Sequence, residues 1–216
     1  AAILSIINQK KIESVDVLLP KKDRIKININ SCKFDKNKAR CSVIKDGGDD
    51  PDVTHGAEIV VDLELTTKPN SIEIDGGEGV GRVTKPGIGL EIGQAAINPI
   101  PRKMITENLT LTGKKILEKN GIKVVISVPK GKELGPKTDN PRIGIVDGIS
   151  ILGTSGIVIP YSTASFAAAI RQQIDVVVSM GDDTVILTTG GRSEDYARKI
   201  LELPEHSFIQ MGDFSG

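Results

Sequence analysis

An acidic run between residues 46 and 55 carries the side chains that proton transfer requires. Its ionisable members are Asp46, Asp49, Asp50, Asp52 and His55. An EF-hand is excluded because Pro51 stands where a calcium loop needs glycine and no glutamate closes the loop. A carboxylate or imidazole acts as a general acid or base when its neighbours tune its pKa, whereas Asp-Pro and Gly-Gly pairs also form solvated turns. Both interpretations stay open here, and Asp49, Asp52 and His55 are the candidates for proton handling.

A second candidate is a glycine-rich segment, with seven glycines and Pro86 between residues 76 and 93. This density predicts a long loop, because glycine costs about 1 kcal/mol and proline about 3 kcal/mol in a helix interior. Residues 75–81 fit the pattern D-x-G-x-G-x-G, in which glycines let the backbone approach a cofactor such as S-adenosylmethionine. That pattern is normally followed by a helix, which Pro86 argues against. The glycines also fail as a phosphate loop, because Arg82 replaces the required lysine.

Several cations lie among these glycine and proline loops rather than on predicted helix faces. They are Arg82, Lys85, Arg102, Lys103 and Arg142. Scattered over the surface they would do nothing specific, but gathered in a cleft they would suit a substrate with several carboxylates. We expect Arg82, Lys85 and Arg102 to lie together along one cleft bordered by the glycine loop.

The second half of the chain alternates apolar strands, glycine loops and helices. Ile149–Leu152 and Val185–Thr189 are predicted strands, followed by helices that Ser162 and Ser193 should cap, and Phe208–Met211 begins a further strand. This alternation is typical of a parallel sheet, whose ligands lie beyond the strand carboxyl ends. We therefore expect the two strands to be parallel neighbours and their loops to bind a cofactor through glycines and hydroxyls, namely Gly153, Thr154, Ser155, Thr188, Thr189, Gly190 and Gly191. With His55 and His206 as the only histidines, a serine triad is disfavoured.

The first half reads as β-structure. Ile25, Ile27 and Ile29 alternate with polar residues, and residues 58–65 repeat this period of two. The fold class we predict is α+β combined with α/β, in two domains. Residues 1–145 form a β-rich α+β domain, and residues 146–216 form a small Rossmann-like α/β domain.

Composition excludes several classes of protein. Lys plus Arg and Asp plus Glu both number 28, and there are four Phe, two Tyr and no Trp, so neither a basic field nor base-stacking platforms suggest nucleic acid. The longest uncharged stretch, residues 148–170, contains glycines and Pro160 and does not suit a membrane span. Cys32 and Cys41 flank a predicted turn and could face each other across a hairpin. Two cysteines do not make a disulfide framework in a chain of this length, which favours a cytoplasmic protein.

Three longer blocks resemble one family. Residues 45–56, KDGGDDPDVTHG, resemble the KDAGDDPDVTHG block of the cobalt-precorrin-5B carbon-1 methyltransferases, the CbiD family of anaerobic cobalamin biosynthesis. Residues 76–87, GGEGVGRVTKPG, match another block of that family, and residues 140–157 are similar to its NPRLGIVGGISILGTTGI. Gly47 stands where alanine is usual, and Asp147 stands where glycine is usual.

The resemblance implies transfer of a methyl group from S-adenosylmethionine to ring carbon 1 of cobalt-precorrin-5B, a multiply carboxylated tetrapyrrole. No metal ligand set is needed for such a transfer. We then assign the tetrapyrrole to the glycine loop and its cations, namely Gly77, Gly79, Gly81, Arg82, Lys85 and Arg102. The methyl donor goes to the second-domain loops, and Asp49, Asp52 and His55 handle the proton.

Other functions and arrangements stay open at this point. The family normally starts before Ala1 and continues well past Gly216, so we expect an incomplete active site. The alternatives are a hydrolase or isomerase acting on a polycarboxylate tetrapyrrole, and a non-catalytic tetrapyrrole-binding subunit. The partner is a small molecule, and a homo-oligomer is an open possibility.

Overall fold

The computed structural model of the protein describes residues 1–153 and 155–212. Within them the helices are α1 (Ala2–Asn8), α2 (Pro99–Leu117), α3 (Gly131–Leu134), α4 (Thr163–Met180) and α5 (Gly191–Ile200). The strands are β1 (Ser14–Leu18), β2 (Arg24–Asn28), β3 (Ser31–Phe34), β4 (Lys38–Ile44), β5 (Glu58–Thr66), β6 (Ile72–Gly76), β7 (Arg82–Val83), β8 (Gly121–Ser127), β9 (Ile145–Val146), β10 (Ile186–Thr188) and β11 (Phe208–Gln210). The fold is mixed α and β, as predicted.

A five-stranded sheet in the order β3-β4-β5-β8-β6 forms the centre of the first part of the chain. Its neighbours are antiparallel except β6, which runs parallel to β8. Because side chains alternate along each strand, Val61, Leu63 and Val124 share one face and pack with Ile3 of α1 and Leu117 of α2. The opposite face carries cross-strand ion pairs, Lys38 with Glu64 and Arg40 with Asp62.

The hairpins of the first part confirm the sequence prediction. β1 and β2 pair antiparallel, with Ile25 and Ile27 on the more buried side. In the β3–β4 hairpin Cys32 lies directly opposite Cys41, and their Sγ atoms are 3.0 Å apart as free thiols. Burial and the hydrogen bond with Cys32 raise the pKa of Cys41 to about 12, so this thiol stays protonated at neutral pH.

The second part contains the predicted strand–helix–strand unit. β10 and β11 are parallel neighbours, and α5 connects them in sequence. Ser162 caps α4 by accepting a hydrogen bond from the Ser165 N–H, and Gly181 ends that helix in the left-handed conformation. Ser193 does not cap α5 as predicted, because the helix begins two residues earlier, at Gly191, and the Ser193 hydroxyl instead accepts from the Gly190 N–H.

One predicted pairing is wrong. Ile149 and Ile151 do not lie beside β10 but form bridges to Val80 and Ile97, in the first part of the chain. β10 pairs only with β11 among the described strands. The segment around Ile149 is apolar enough for a strand, yet its backbone hydrogen-bonding partner is the glycine loop.

Contacts cross the predicted domain boundary between residues 145 and 146. The boundary falls inside β9, which pairs antiparallel with β7. A second hydrophobic cluster joins Val83, Ile88 and Ile143 to Val176 of α4. The two parts therefore share buried surface. None of the helices in the described ranges is long and apolar enough to cross a membrane.

Candidate functional site

One edge of the five-stranded sheet brings the sequence blocks together. Ile44 at the end of β4 pairs with Glu58 at the start of β5, so the acidic loop between them projects from this edge. Val60 pairs with Ser127, and Gly76 pairs with Ile126, which places the carboxyl ends of β6 and β8 at the same edge. The glycine loop leaves β6 there. In open α/β sheets ligands bind beyond the carboxyl ends of parallel strands, and β6 and β8 are the parallel pair of this sheet.

The third block closes on the glycine loop. The Ile149 N–H donates to the Gly79 carbonyl at 3.0 Å, and the Gly81 N–H donates to the Ile149 carbonyl at 2.8 Å. Asn140 is buried and supports this arrangement through a donated bond to the Gly148 carbonyl. All three blocks, far apart in sequence, are thus held at one edge of the sheet.

The chain beyond the third block returns to the acidic loop. The backbone N–H of Tyr161 donates to Asp50 Oδ1 at 3.2 Å. On the way, the segment passes the first half of α2, since a Cβ on Gly153 would meet Pro101 and one on Gly156 would lie near Met104. The acidic loop and the third block therefore border the same region.

Asp52 is the most constrained carboxylate of the acidic loop. Its oxygens accept hydrogen bonds from Lys45 Nζ and from the backbone N–H and hydroxyl of Thr54. Partial burial opposes ionisation of Asp52, but the hydrogen bonds from Lys45 and Thr54 outweigh it and lower the pKa of this carboxyl. Asp52 is therefore an ionised partner of Lys45, which makes it a weak base. Asp49 is exposed to solvent.

His55 is held by the backbone of the same loop. The Gly47 N–H donates to His55 Nδ1 at 3.0 Å, and the ring is 56% exposed. Asp46 Oδ1 lies 4.0 Å from the same nitrogen, which is too far for a hydrogen bond. Asp52 and His55 are thus both fixed by the loop, while Asp49 is not.

The glycines of the glycine loop pack against the protein's own backbone. Gly79 has a φ of +69°, and a Cβ there would lie 1.9 Å from the Val128 carbonyl oxygen. A Cβ on Gly131 would lie 2.0 Å from the Gly79 oxygen, and one on Gly148 would lie 2.3 Å from it. Gly81 is buried in the same contact, and Gly77 faces Ser127. Close approach of three chain segments, rather than of a ligand, accounts for glycine at these positions.

The predicted cation cluster is brought together only in part. Arg82 binds Asp75 at 2.9 Å and the Gly76 carbonyl at 2.6 Å. Partial burial opposes ionisation of Asp75, but Arg82 and, more weakly, Arg102 lower the pKa of that carboxyl. Lys85 instead donates to the Arg142 carbonyl at 3.3 Å. Arg82 and Arg102 therefore act on one carboxylate, and Lys85 has different partners.

Arg102 has a structural set of acceptors. Its guanidinium donates to the carbonyls of Ile97, Ile74 and Ala95, at 2.9, 2.7 and 3.4 Å. These carbonyls belong to β6 and to the segment before α2, so the side chain ties the two together. These bonds use three of the five guanidinium N–H donors and fix the group against the backbone, so its role in this structure is structural.

Lys130 is a further cation at this edge, which the sequence patterns did not indicate. It lies three residues after the end of β8, is exposed, and forms no ion pair or side-chain hydrogen bond with any described residue. Its neighbour Gly131 packs against Gly79, so Lys130 lies next to the centre of the glycine loop. The signal for Lys130 is its place shortly after β8, but it depends on the parallel pairing of β8 with β6, which the sequence did not reveal.

The residues predicted to bind the cofactor are not at one edge. Gly153 lies near Pro101, while the Ser155 hydroxyl bonds with the Ile157 backbone; Thr154 lies outside the described residues. The second loop follows β10, where the Thr188 hydroxyl donates to the Ile209 carbonyl and Thr189 contacts Ser193. The common strand edge expected for Gly153–Ser155 and Thr188–Gly191 does not form, because the two strands are not neighbours.

The second loop by itself remains accessible. A Cβ on Gly190 would meet no atom within 4 Å, and Gly191 begins α5. Behind it, Glu194 is 5% exposed and pairs with Arg142 at 3.1 Å and Arg198 at 2.6 Å. Among the described residues no group of His, Cys, Asp or Glu side chains is arranged to hold a metal ion.

Comparisons with known proteins agree with one another. The CbiD family model matches residues 1–160. A cobalt-precorrin-5B C(1)-methyltransferase from Leptospira interrogans serogroup Icterohaemorrhagiae serovar copenhageni is 50% identical over 219 residues, which cover 100% of this chain and 59% of that protein. One from Geobacillus kaustophilus is 49% identical over 217 residues, covering 100% of this chain and 58% of that protein.

A solved structure also matches. The crystal structure of a cobalamin biosynthesis protein (cbiD) from Archaeoglobus fulgidus superimposes with a TM-score of 0.54 at 28% sequence identity. The match covers 98% of this chain and 66% of that chain. The chain therefore spans about 59% of the length of the curated relatives it matches.

Proposed function

Because this chain belongs to the CbiD family, we propose that it is part of an S-adenosylmethionine-dependent methyltransferase that methylates ring carbon 1 of cobalt-precorrin-5B in cobalamin biosynthesis. The names of its relatives, at about 50% identity, support the reaction and the substrate. A methyltransferase requires a methyl donor, and S-adenosylmethionine is the donor we propose.

The observation that carries the proposal is the meeting of three blocks at one sheet edge. The acidic loop, the glycine loop and the third block come from residues 45–56, 76–87 and 140–157. A shared site explains their common location.

Positioning is the main contribution of such a site. The donor supplies an activated methyl group when bound, and this protein must hold the acceptor carbon in line with it. The glycine contacts make the loop backbone rigid, which suits that task. Lys130, together with Gly77 and Arg82, is our proposed contact surface for the acidic tetrapyrrole, since an available ammonium attracts carboxylates; Gly79 and Gly81 are buried and hold this surface in place.

We place the methyl donor at Thr188–Gly191. This loop follows a parallel strand, begins a helix and has open space in front of Gly190. Such a location offers free backbone N–H groups to a ligand. In our proposal, residues 146–216 are the start of a Rossmann-like α/β unit built on β10, α5 and β11, packed against residues 1–145.

Titration with S-adenosylhomocysteine tests this proposal. We expect binding to the 216-residue chain, at least about tenfold weaker binding to Gly190→Val, and an intermediate effect of Gly190→Ala, because a side chain here fills the ligand's space without meeting protein atoms. Binding that is unchanged in both variants would move the donor elsewhere. A chain that binds the tetrapyrrole uroporphyrin but not S-adenosylhomocysteine would be a binding subunit instead.

Lys130→Gln tests the substrate surface separately. We expect weaker binding of uroporphyrin, a tetrapyrrole polycarboxylate, by about three- to tenfold, as for loss of one charge-assisted contact. The matched control is Lys115→Gln, an exposed lysine near the end of α2 at the opposite edge of the sheet. Equal losses in the two variants would show a general charge effect and no site at Lys130.

A further inference from the structure

The imidazole of His55 has one nitrogen occupied by the protein and one turned outward. Nδ1 accepts a hydrogen bond from the Gly47 N–H at 3.0 Å. A neutral imidazole has one protonated nitrogen and one that accepts. Because Nδ1 accepts, the proton of neutral His55 resides on Nε2.

The loop that supplies the Gly47 N–H is fixed at both ends. The Gly47 carbonyl accepts from the Asp50 N–H at 3.2 Å, and the His55 N–H donates to the Asp52 carbonyl at 2.9 Å. The Gly56 N–H donates to the Lys45 carbonyl, which closes the base of the loop. Gly47 is buried while the His55 ring is 56% exposed. A buried backbone N–H therefore fixes the tautomer of a ring that solvent can reach.

The charged neighbours do not provide another stable arrangement. Asp46 Oδ1, at 4.0 Å from Nδ1, would attract a protonated ring, but only by replacing the shorter bond from Gly47. The Asp52 carboxylate is taken by Lys45 and Thr54. Removal of a proton by Nε2 would require Nδ1 to carry the hydrogen and to face the Gly47 N–H, donor against donor.

We propose that His55 is a fixed hydrogen-bond donor, which presents Nε2–H to a carboxylate oxygen of a bound reactant and does not act as the base. The inference rests on the proposed function, in which both the tetrapyrrole and the methyl donor carry carboxylates. It removes His55 from the candidate proton acceptors and makes it a binding and positioning residue. Exposed Asp46 and Asp49 oppose an anion here, so we expect a moderate effect on affinity.

The tautomer can be measured without any ligand. Long-range proton–nitrogen correlation spectra recorded in alkaline buffer should show His55 protonated at Nε2 and bare at Nδ1. The chain has two histidines, and His55→Gln identifies the signals by their loss. A ring protonated at Nδ1, or averaged between tautomers, would overturn the proposal.

The donor role is tested with two probes, uroporphyrin and S-adenosylhomocysteine, on the same chain. His55→Ala should weaken one of them by about tenfold, as for a lost bond to a charged group, while His55→Gln, which donates but is no base, should lose less than about threefold. The probe that is affected identifies the reactant. Equal losses in Gln and Ala, or none in either, would refute the donor role. If the unaltered chain binds neither probe, both the donor role and the proposed function are refuted. The tautomer measurement does not depend on that result.

Discussion

At the scale of single residues, the arginines around the sheet edge donate to acceptors of the protein itself. Arg82 binds Asp75, Arg102 binds three backbone carbonyls and Arg142 binds Glu194. These side chains shape the site and support its loops. Carboxylates offset the charges of Arg82 and Arg142 before any substrate arrives, and Lys130 is the more exposed cation.

Arg102→Ala tests this structural role. We expect the free energy of unfolding to fall by about 2 kcal/mol, because partly buried carbonyls lose a charged donor. The control is Lys103→Ala, an exposed neighbour whose nearest acidic partner, Glu107, is 4.0 Å away, and which should change stability by less than about 0.5 kcal/mol. Urea denaturation measures both. Similar small effects in the two variants would mean that the carbonyls find other donors, and that Arg102 is free for substrate as the sequence suggested.

At the scale of elements, the glycine loop is a packing device. Gly79, Gly131 and Gly148 allow three backbone segments to meet without side chains between them. This contact joins the segments after β6 and β8 to the third block by direct packing of backbone on backbone. The rigidity of the loop follows from it, and so does the position of every group that the loop carries.

Gly79→Ala should therefore destabilise the protein by about 3 kcal/mol or more, since a left-handed conformation costs a non-glycine residue about 1–2 kcal/mol and the added Cβ meets a carbonyl. Gly190→Ala is the matched control, because its φ of 176° is extended backbone and the space around it is open. We expect it to change stability by less than about 1 kcal/mol. Thermal and urea unfolding would measure both. Equal stability of the two variants would show that the loop can relax.

At the scale of the whole molecule, several contacts join the parts before and after residue 145, and two of them involve α4 and α5. Val176 of α4 is buried with Val83 and Ile143. Arg142 reaches Glu194 in the first turn of α5. Burial opposes ionisation of Glu194, but Arg198 and Arg142 outweigh it and lower the pKa of this carboxyl. The Glu194 side chain, which is 5% exposed, thus holds α5 against the third block.

The lowered pKa of Glu194 makes stability depend on pH. A carboxyl whose pKa is lower in the folded state than its ordinary value of about 4.3 stabilises the protein above that value, and the contribution is lost as the pH falls through the folded pKa. Glu194→Gln should lower the free energy of unfolding by about 1–3 kcal/mol at neutral pH and flatten its decline in acid. Exposed Glu202→Gln is the control. Urea titrations over a pH series would refute this if Glu194→Gln declined as steeply as the unaltered chain.

The local patterns of the chain were enough to predict much of the secondary structure. Alternation of apolar residues indicated β2 and β5, and the β10–α5–β11 unit followed from its strand, glycine loop and helix order. These features depend on neighbours a few residues apart, which the sequence displays directly. The three blocks also indicated the family, because their residue order is itself specific.

Only the tertiary structure decided which strands pair and what the polar groups contact. The Ile149 segment could pair with any strand whose backbone N–H and C=O groups are free, and it bridges to Val80 rather than to β10. A glycine serves equally for the approach of a ligand or of another chain segment, and Gly79 serves the second. Arg102 donates to carbonyls from segments that no periodicity connects to it. Pairing and hydrogen bonding over long sequence separations depend on the whole fold, and a single sequence does not display them.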